Sequence, residues 1–460
     1  MKDLSKKDSN GLSLWWAEQQ KSSDHALGMA QAIRNNEIFK DNFKEKHLIW
    51  FLYILKYGYP KNTLKRYLKE LFPKCNTSPT HRPMIAVHYN EGLNCRRRND
   101  LNWFWNSGIN QKNILIYVDN LSTPEAFSNE LNDFQCVSLV KNEYPYWTYR
   151  PRARITGIPL SPLDWWVFYY SMKLLKRINY WKAFYKYFNI KLIYIPEDGL
   201  LEAIPQTLAM DGIGYSIGKQ RSELYTSSEI SLGHFCKDIY FVWSERTKKY
   251  LTPNYSNIKE IIVSGYETLP KFEDLTLSLR EKGFKFVVCI LDTGHGPTTH
   301  SAKSDVEACY NRLFELPIGF IIKPKKPKFF NALNIDIPKD RCVIMENPWG
   351  MYPMEAATGT DLSIGMGISS AITEVVVNGQ RGIHYDLLNL TSHEFYEWGK
   401  DRLIFNDLDV MIEAIKKHIE TKDNLGDWEE HKFKLDPYCD NRGSYRMGKK
   451  IQELYAELTV

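Results

Sequence analysis

Short apolar segments recur along this chain at helix-length intervals. In the first half they are MIAVHY at 84–89, NILIYV at 113–118, KLIYI at 191–195, IGYSI at 213–217, DIYFVW at 238–243 and EIIVSG at 260–265. Apolar runs of this length, closed by polar or glycine-containing turns, are typical of strands buried on both faces of a parallel sheet. The alternation with helix-length intervals predicts an α/β layer built on a parallel sheet.

A second series of such segments follows in the other half of the chain. Its members lie at 284–291, 318–323, 342–345, 361–366 and 381–386, with helical spacers at 304–315 and 371–378. We therefore predict an α/β fold of two Rossmann-like domains that face a cleft. In such sheets, ligands bind outside the carboxyl ends of the strands, so motifs at those ends carry the functional prediction.

Domain boundaries are predicted where these patterns change. Residues 47–72 carry apolar side chains at helical spacing, so residues 1–78 are predicted to form a helical N-terminal extension. The two Rossmann-like domains are then predicted over 79–273 and 274–460, with 274–283 as the joint.

Composition excludes several classes of protein. Hydrophobic residues make up 43% of the chain and charged residues 25%, which excludes wholesale disorder. A net charge of +5 over 460 residues is too small for a nucleic-acid-binding stripe, so no nucleic acid partner is expected. The eight cysteines form no CxxC pair, and the chain has neither a signal-peptide pattern nor an apolar run of roughly 20 residues. We expect a cytoplasmic protein.

Acidic residues follow two of the predicted strands. Glu197 and Asp198 come directly after 191–195, and Glu91 follows 84–89, with three arginines at 96–98 behind it. One of two adjacent carboxylates in a cleft can have a raised pKa and accept a proton from an attacking hydroxyl group. The structural alternative is a solvated turn that caps the next helix.

A lysine-rich segment follows the strand predicted at 318–323. IIKPKKPKFF places Lys323, Pro324 and Lys325 at its carboxyl end, with Lys326 and Lys328 close behind. Such a loop can stabilise the charge of a leaving phosphate or diphosphate. A generic basic surface loop would have the same composition.

A run of small residues precedes the helix predicted at 371–378. GMGISS at 365–370 contains Ser369 and Ser370, and Glu374 lies on the helix. Backbone N–H groups at such a helix start bind phosphate, whereas an ordinary N-cap explains only one serine.

DTGHGPTTH follows another strand and places Thr293 and His295 where they would face the same ligand. No P-loop, GxGxxG or HExxH motif occurs, and no metal site is predicted.

Residues 163–188 interleave Trp and Tyr with Lys173, Lys176, Arg177, Lys182 and Lys186. A basic, aromatic helix can lie in the headgroup plane of an anionic membrane. The alternative is a helix packed on the sheet, with its lysine stems lying along apolar surface.

Several of these stretches together resemble the polysaccharide biosynthesis PFTS-motif family of bacterial surface-polysaccharide proteins, which are similar to two-Rossmann (GT-B) glycosyltransferases. They are AVHYNEGLNCRRRNDLNWFW, GKQRS, the ILDTGH region, IIKPKK, GISSAITEVVVNGQRGIHYD and the tail DPYCDNRGSYRMGKKIQELY. The resemblance spans roughly 84–455, and Gly-Ile-Ser-Ser at 367–370 stands where the family has Pro-Phe-Thr-Ser. It implies a glycosyltransferase of capsule or lipopolysaccharide synthesis.

A looser resemblance is to bacterial sialyltransferases and Kdo transferases, which use CMP-activated sugars. Their acidic-Asp-Gly motif and serine pair are matched in order by 197–199 and 369–370, whereas Lys323-Pro324 replaces their His-Pro. This resemblance slightly favours a CMP-linked Kdo or nonulosonate donor. A UDP- or GDP-hexose donor is the alternative, because a lysine-rich loop also suits a diphosphate.

The resemblance implies an acceptor site in the first domain and a nucleotide-sugar site in the second. Asp198, with Glu197 and Glu91 as alternates, would deprotonate a glycan or lipid-linked glycan acceptor without a metal ion. The lysines and the Ser369–Ser370 region would hold the donor, and the protein would lie peripherally at the inner face of the membrane. A non-catalytic carbohydrate-binding component of a membrane assembly complex is the alternative from another class.

Overall fold

The computed structural model describes twelve parts of the chain. They are residues 50–51, 54, 84–89, 101–105, 107–118, 134–138, 162–196, 203–221, 236–251, 257–292, 302–345 and 351–459. The helical extension predicted over 1–78 lies outside these residues except for Trp50, Phe51 and Ile54, which are helical and buried.

The first half of the chain forms a seven-stranded sheet. Its strands are β1 (Ile85–Tyr89), β2 (Ile114–Val118), β3 (Gln135–Ser138), β4 (Leu192–Tyr194), β5 (Tyr215–Lys219), β6 (Cys236–Val242) and β7 (Asn257–Val263). They are all parallel and lie in the order β3-β2-β1-β4-β5-β6-β7. The chain therefore builds outward from β1 on one side and then from β4 on the other, as in a Rossmann sheet.

The described helices of this half are α1 (Asn102–Trp105), α2 (Pro162–Phe188), α3 (Ala203–Met210) and α4 (Glu245–Leu251). Helices α2 and α3 pack on one face of the sheet, where they share a core with Trp50 and Phe51. Arg177 on α2 is buried, which agrees with the alternative of a helix packed on the sheet. Within the described residues, no helix is both long and apolar enough to cross a membrane.

The second half forms a six-stranded parallel sheet in the order β10-β9-β8-β11-β12-β13. Its strands are β8 (Val287–Asp292), β9 (Gly319–Pro324), β10 (Cys342–Ile344), β11 (Leu362–Met366), β12 (Gly382–Tyr385) and β13 (Ile404–Phe405). Every residue of β8 and β9 is buried, as expected for strands covered by helices on both faces.

The remaining helices are α5 (Leu277–Glu281), α6 (Lys303–Phe314), α7 (Pro327–Phe330), α8 (Pro353–Ala357), α9 (Ser370–Val377), α10 (Phe395–Gly399), α11 (Leu408–Thr421), α12 (Lys432–Leu435) and α13 (Gly443–Thr459). Helices α6 and α11 cover one face of the second sheet, and α8 and α9 cover the other. The predicted α/β fold of two Rossmann-like domains is confirmed. The domain boundaries themselves stay a prediction.

The C-terminal helix α13 returns to the first sheet. Met447, Ile451 and Leu454 share an apolar cluster with residues of β1 and β2. Gly448 permits this return, because a Cβ atom there would lie 2.3 Å from the carbonyl oxygen of Trp103 on α1. The end of the chain thus fastens the second half to the first.

Candidate functional site

The carboxyl edge of the second sheet has the strand order of a ligand-binding edge. Strands β9 and β10 lie on one side of β8, and β11 to β13 lie on the other. Ligands in open parallel sheets bind in the crevice at such a reversal. The candidate site therefore lies where β8 ends at Asp292, between the ends of β9 and β11.

Lys323 and Pro324 form the end of β9, directly beside the end of β8. Lys323 is paired with Leu291, and the amide of Lys325 donates a hydrogen bond of 2.8 Å to the carbonyl of Asp292. Lys323 is buried, whereas Lys325 is exposed. Burial raises the pKa of the Cys289 thiol to about 12, and the nearby charge of Lys323 opposes that rise. A cation is thus built into the edge of the sheet.

Helix α9 begins on the other side of β8. Ser369 is its N-cap and accepts a hydrogen bond of 3.2 Å from the amide of Ala371 through Oγ, and Ser370 is its first residue. Gly365 has a structural role, because a Cβ atom there would lie 2.6 Å from Ile372. Gly367 has a φ of +93°, which favours glycine. The strand end and the helix start are therefore held in close contact.

A buried histidine that was not predicted as a site residue supports this turn. Nδ1 of His384 on β12 lies 3.2 Å from the carbonyl oxygen of Gly367 and 3.4 Å from the amide nitrogen of Ser369. Burial lowers the pKa of His384 to about 4, although the contact with Gly367 acts in the opposite direction. The imidazole is therefore neutral at pH 7. The available signal was a histidine inside the apolar segment RGIHYD.

Glu374 on α9 is buried, and its carboxylate accepts two hydrogen bonds. Its Oε1 accepts from the amide of Met354 at 2.7 Å, and its Oε2 accepts from the hydroxyl of Tyr266 at 2.9 Å. Glu374 thus links α8, α9 and the segment that follows β7. Its predicted part in donor binding stays a prediction.

Asp292 is the last residue of β8 and lies at the candidate site. Its side chain is buried, and its Oδ2 accepts a hydrogen bond of 3.1 Å from the hydroxyl of Tyr310 on α6. Burial and the Asp292 carboxylate raise the pKa of Tyr310 well above its ordinary value, so the phenol stays protonated. Thr293 and His295, which follow Asp292 in the sequence, lie outside the described residues.

The acidic motifs of the first sheet also lie outside the described residues. Glu91, Glu197 and Asp198 follow β1 and β4, and these two strands are paired, with Ile85 opposite Leu192. The order of strands in the first sheet reverses between β1 and β4. Both motifs therefore follow the strands that flank the reversal, and the catalytic roles of the three carboxylates stay predictions.

Two polar groups near the carboxyl edge of the first sheet were missed from the sequence. His88 on β1 is buried, stacks on Tyr117 at 4.8 Å between ring centroids, and lies 3.3 Å from the side-chain nitrogen of Gln206. Lys219, at the end of β5, lies 2.5 Å from Glu267. The sequence signal for Lys219 was its place in GKQRS directly after an apolar segment.

The two halves contact each other through polar groups. Besides Tyr266 and Glu374, Arg246 on α4 pairs with Glu394 beside α10, and Tyr250 donates a hydrogen bond of 2.7 Å to the same carboxylate. Across the described ranges, no three His, Cys, Asp or Glu side chains are grouped so that they could hold a metal ion. Metal-independent chemistry stays a prediction.

Comparison with known proteins supports the fold. The sequence matches no protein-family model and no curated relative. Among solved structures, it is similar to UDP-bound MnaA from S. aureus, at 12% identity and a TM-score of 0.51 over 82% of this chain and 97% of that one. A protein from Listeria monocytogenes that is assigned as a UDP-N-acetylglucosamine 2-epimerase gives 10% identity, a TM-score of 0.51 and coverages of 82% and 97%.

A glycosyltransferase from Rickettsia africae ESF-5 is also similar, at 11% identity and a TM-score of 0.47 over 82% of this chain and 99% of that one. Identities this low show the fold alone. The chain has the GT-B-like fold, with two Rossmann-like domains. Its resemblances to the PFTS-motif family and to CMP-sugar transferases stay predictions.

Proposed function

We propose that the protein is a glycosyltransferase that moves a sugar from a nucleotide donor to a glycan acceptor. One observation carries the proposal: the buried Lys323 on β9 and the start of α9 at Ser369 and Ser370 flank the end of β8, at the strand reversal of the second sheet. Such an edge, with a cation on one side and helix amides on the other, suits the phosphate of a nucleotide.

In the proposed reaction, a hydroxyl oxygen of the acceptor bonds to the anomeric carbon of the donor sugar. The bond between that carbon and the phosphate oxygen breaks, and the electron pair leaves with the nucleotide. Lys323, Lys325 and the first amides of α9 stabilise the growing phosphate charge, which is the contribution that lowers the barrier. Asp198, with Glu197 or Glu91 as alternates, takes the proton from the hydroxyl.

We propose a CMP-linked Kdo or nonulosonate as donor, on the strength of the Glu197-Asp198-Gly199 and Ser369-Ser370 motifs. A UDP-hexose is the second candidate, because a structure of similar fold contains UDP and the lysine-rich loop suits a diphosphate. A thermal-shift panel of CMP, UDP and GDP separates them. Stabilisation by CMP supports the first, and stabilisation by UDP or GDP alone contradicts it.

The proposed place of this reaction is surface-polysaccharide synthesis at the cytoplasmic face of a membrane. Helix α2 supports that location, because Trp165 and Tyr169 are 56% and 49% exposed one helical turn apart. The ammonium group of Lys173 lies 4.1 Å from the Tyr169 ring centroid, which continues this stripe by another turn. Exposed aromatic rings beside lysine suit the headgroup layer of an anionic membrane. The acceptor proposed for this site is a lipid-linked glycan.

Asp198→Ala tests the proposed base. Because the substitution removes the proton acceptor but no donor contact, we expect transfer to fall at least about 100-fold. Nucleotide binding should be unchanged, as measured by titration calorimetry. Full transfer activity in Asp198→Ala would remove this residue from the mechanism and direct the test to Glu91.

A further inference from the structure

We propose that Tyr266 is a positioning residue for the donor site, which couples the crossing between the two domains to helix α9 through Glu374. This inference rests on the proposed function, since it assigns regulation to the same nucleotide site.

Tyr266 is held on three sides where the chain crosses from the first domain to the second. Its ring centroid lies 4.7 Å from that of Trp243, directly after β6, and its amide donates a hydrogen bond of 3.0 Å to Asp436. Its carbonyl oxygen would lie 1.9 Å from a Cβ atom at Gly443, the first residue of α13. The backbone of Tyr266 therefore lies in the first crossing between the domains and contacts residues 436–443, where the chain crosses back.

The neighbouring residues reinforce this attachment. The amide of Leu269 donates to Asn441 at 2.6 Å, and Asn441 donates back to the carbonyl of Leu269 at 2.8 Å. Thr268 and Ser444 also exchange hydrogen bonds, at 3.2 and 3.3 Å. The two crossings, at 266–269 and 436–444, thus form one hydrogen-bonded unit. A relative movement of the domains must move or strain this unit.

The Tyr266 hydroxyl connects this unit to the donor domain. It donates a hydrogen bond of 2.9 Å to Oε2 of Glu374, whose Oε1 holds the amide of Met354 near the start of α8. Glu374 lies in the second turn of α9, four residues after Ser370. Because a helix transmits displacement as a rigid element, the hydroxyl fixes the direction of the amides at the start of α9.

The hydroxyl is the part of Tyr266 that packing does not require. Phenylalanine would keep the contact with Trp243, whereas the buried carboxylate of Glu374 would lose one of its donors. A matched control exists, because Tyr250 also makes a tyrosine–glutamate bond between the halves, to Glu394 at 2.7 Å. Glu394 is the residue before α10, and the hydrogen bonds of its carboxylate within the described residues go to Arg246 and Tyr250 on α4 rather than to α9.

The test compares wild type, Tyr266→Phe and Tyr250→Phe by titration calorimetry with CMP, UDP and GDP, together with thermal unfolding without nucleotide. We expect Tyr266→Phe to weaken binding of the preferred nucleotide about 10-fold, in the ordinary range of coupling between sites. Tyr250→Phe should leave that affinity unchanged, while both variants lower the unfolding midpoint by a similar small amount.

A double variant tests whether the Tyr266 hydroxyl acts through Glu374 or through a general disturbance of the fold. If the hydroxyl acts through Glu374, Tyr266→Phe combined with Glu374→Gln should bind nucleotide no more weakly than Glu374→Gln alone. Wild-type affinity in Tyr266→Phe, or an equal loss in Tyr250→Phe, would overturn the positioning role and leave the proposed function intact. A wild-type protein that binds none of the three nucleotides would overturn both.

Discussion

The ammonium group of Lys219 lies 2.5 Å from a carboxylate oxygen of Glu267, and the two side chains are only 4% and 14% exposed. The pair joins the end of β5 to the segment that follows β7, past the end of β6. Removing a charge from water is costly, and the opposite charge of the partner offsets that cost in each of the two side chains. The pair therefore fixes the carboxyl edge of the first sheet beside Tyr266.

Breaking this pair should be costly. Glu267→Gln removes the carboxylate that lies against the buried Lys219 ammonium group, so we expect the free energy of unfolding to fall by about 3 kcal/mol. Urea denaturation measures this change. The control is Glu260→Gln, which breaks the exposed pair with Lys450 and should cost less than about 1 kcal/mol. Equal losses in the two variants would mean that burial does not decide the strength of the Lys219 pair.

Lys323 should matter more than the other lysines of its loop. Lys323→Met keeps the length of the side chain but removes the buried charge at the end of β9, so nucleotide affinity should fall at least about 10-fold. Lys328→Met, an exposed position on α7, is the control and should retain wild-type affinity. Calorimetry with the preferred nucleotide checks both. Equal affinities for wild type and Lys323→Met would exclude this lysine from the donor site.

Much of the fold could be predicted from the sequence. The segments at 84–89, 113–118, 318–323 and 361–366 are strands to within a residue or two, because strands buried on both faces must be continuously apolar. Strands β3 and β13 were not predicted, and both lie at sheet edges. Strand β3 has the sequence QCVS, and β13 has only two residues. Neither strand is long enough for an apolar pattern to differ from that of the neighbouring sequence.

The site was less predictable than the fold, because its geometry depends on contacts distant in sequence. Lys323 and the start of α9 were predicted from their place after apolar segments. The bond between Tyr266 and Glu374 joins residues 108 positions apart, and no local pattern reports it. The same holds for Arg177, whose burial depends on how α2 packs rather than on its neighbours in sequence.

Ser369 should have two separable roles. Ser369→Ala removes the N-cap hydrogen bond to Ala371 and should lower the free energy of unfolding by about 1 kcal/mol. Ser369→Asp keeps a side chain that caps helices but places a negative charge beside the proposed phosphate. We expect it to retain near-wild-type stability and to bind nucleotide at least about 10-fold more weakly. Undiminished binding in Ser369→Asp would place the phosphate elsewhere.

His384 should make the fold sensitive to acid. Its pKa is about 4 in the folded protein and about 6.5 when unfolded, so the unfolded state binds more protons between these values. The neutral imidazole therefore contributes stability that is fully present above pH 6.5 and is lost as the pH falls toward 4. The loss should reach up to about 3 kcal/mol.

The pH dependence is measured by denaturation at pH 7 and at pH 4.5. His393, whose pKa burial lowers to about 3, acts in the same direction, so the informative comparison is wild type against His384→Gln. The variant should lose less stability over this interval than wild type. Identical pH profiles would show that His384 does not titrate as its burial requires.

The membrane proposal predicts a difference between two exposed aromatic sites. Trp165→Ser combined with Tyr169→Ser removes the apolar contacts of α2 and should reduce co-flotation with anionic vesicles several-fold. Trp105→Ser is the control, because Trp105 on α1 is 49% exposed and lies outside that stripe. Unchanged flotation of the double variant would leave packing on the sheet as the role of α2.

The most direct test of the central claim is a crystal structure of the protein with CMP or UDP. We expect the phosphate at the carboxyl edge of the second sheet, within hydrogen-bonding distance of Nζ of Lys323 and of the first amides of α9 at Ser369 and Ser370. A nucleotide bound away from the end of β8, or no nucleotide at saturating concentrations of either, would contradict this claim.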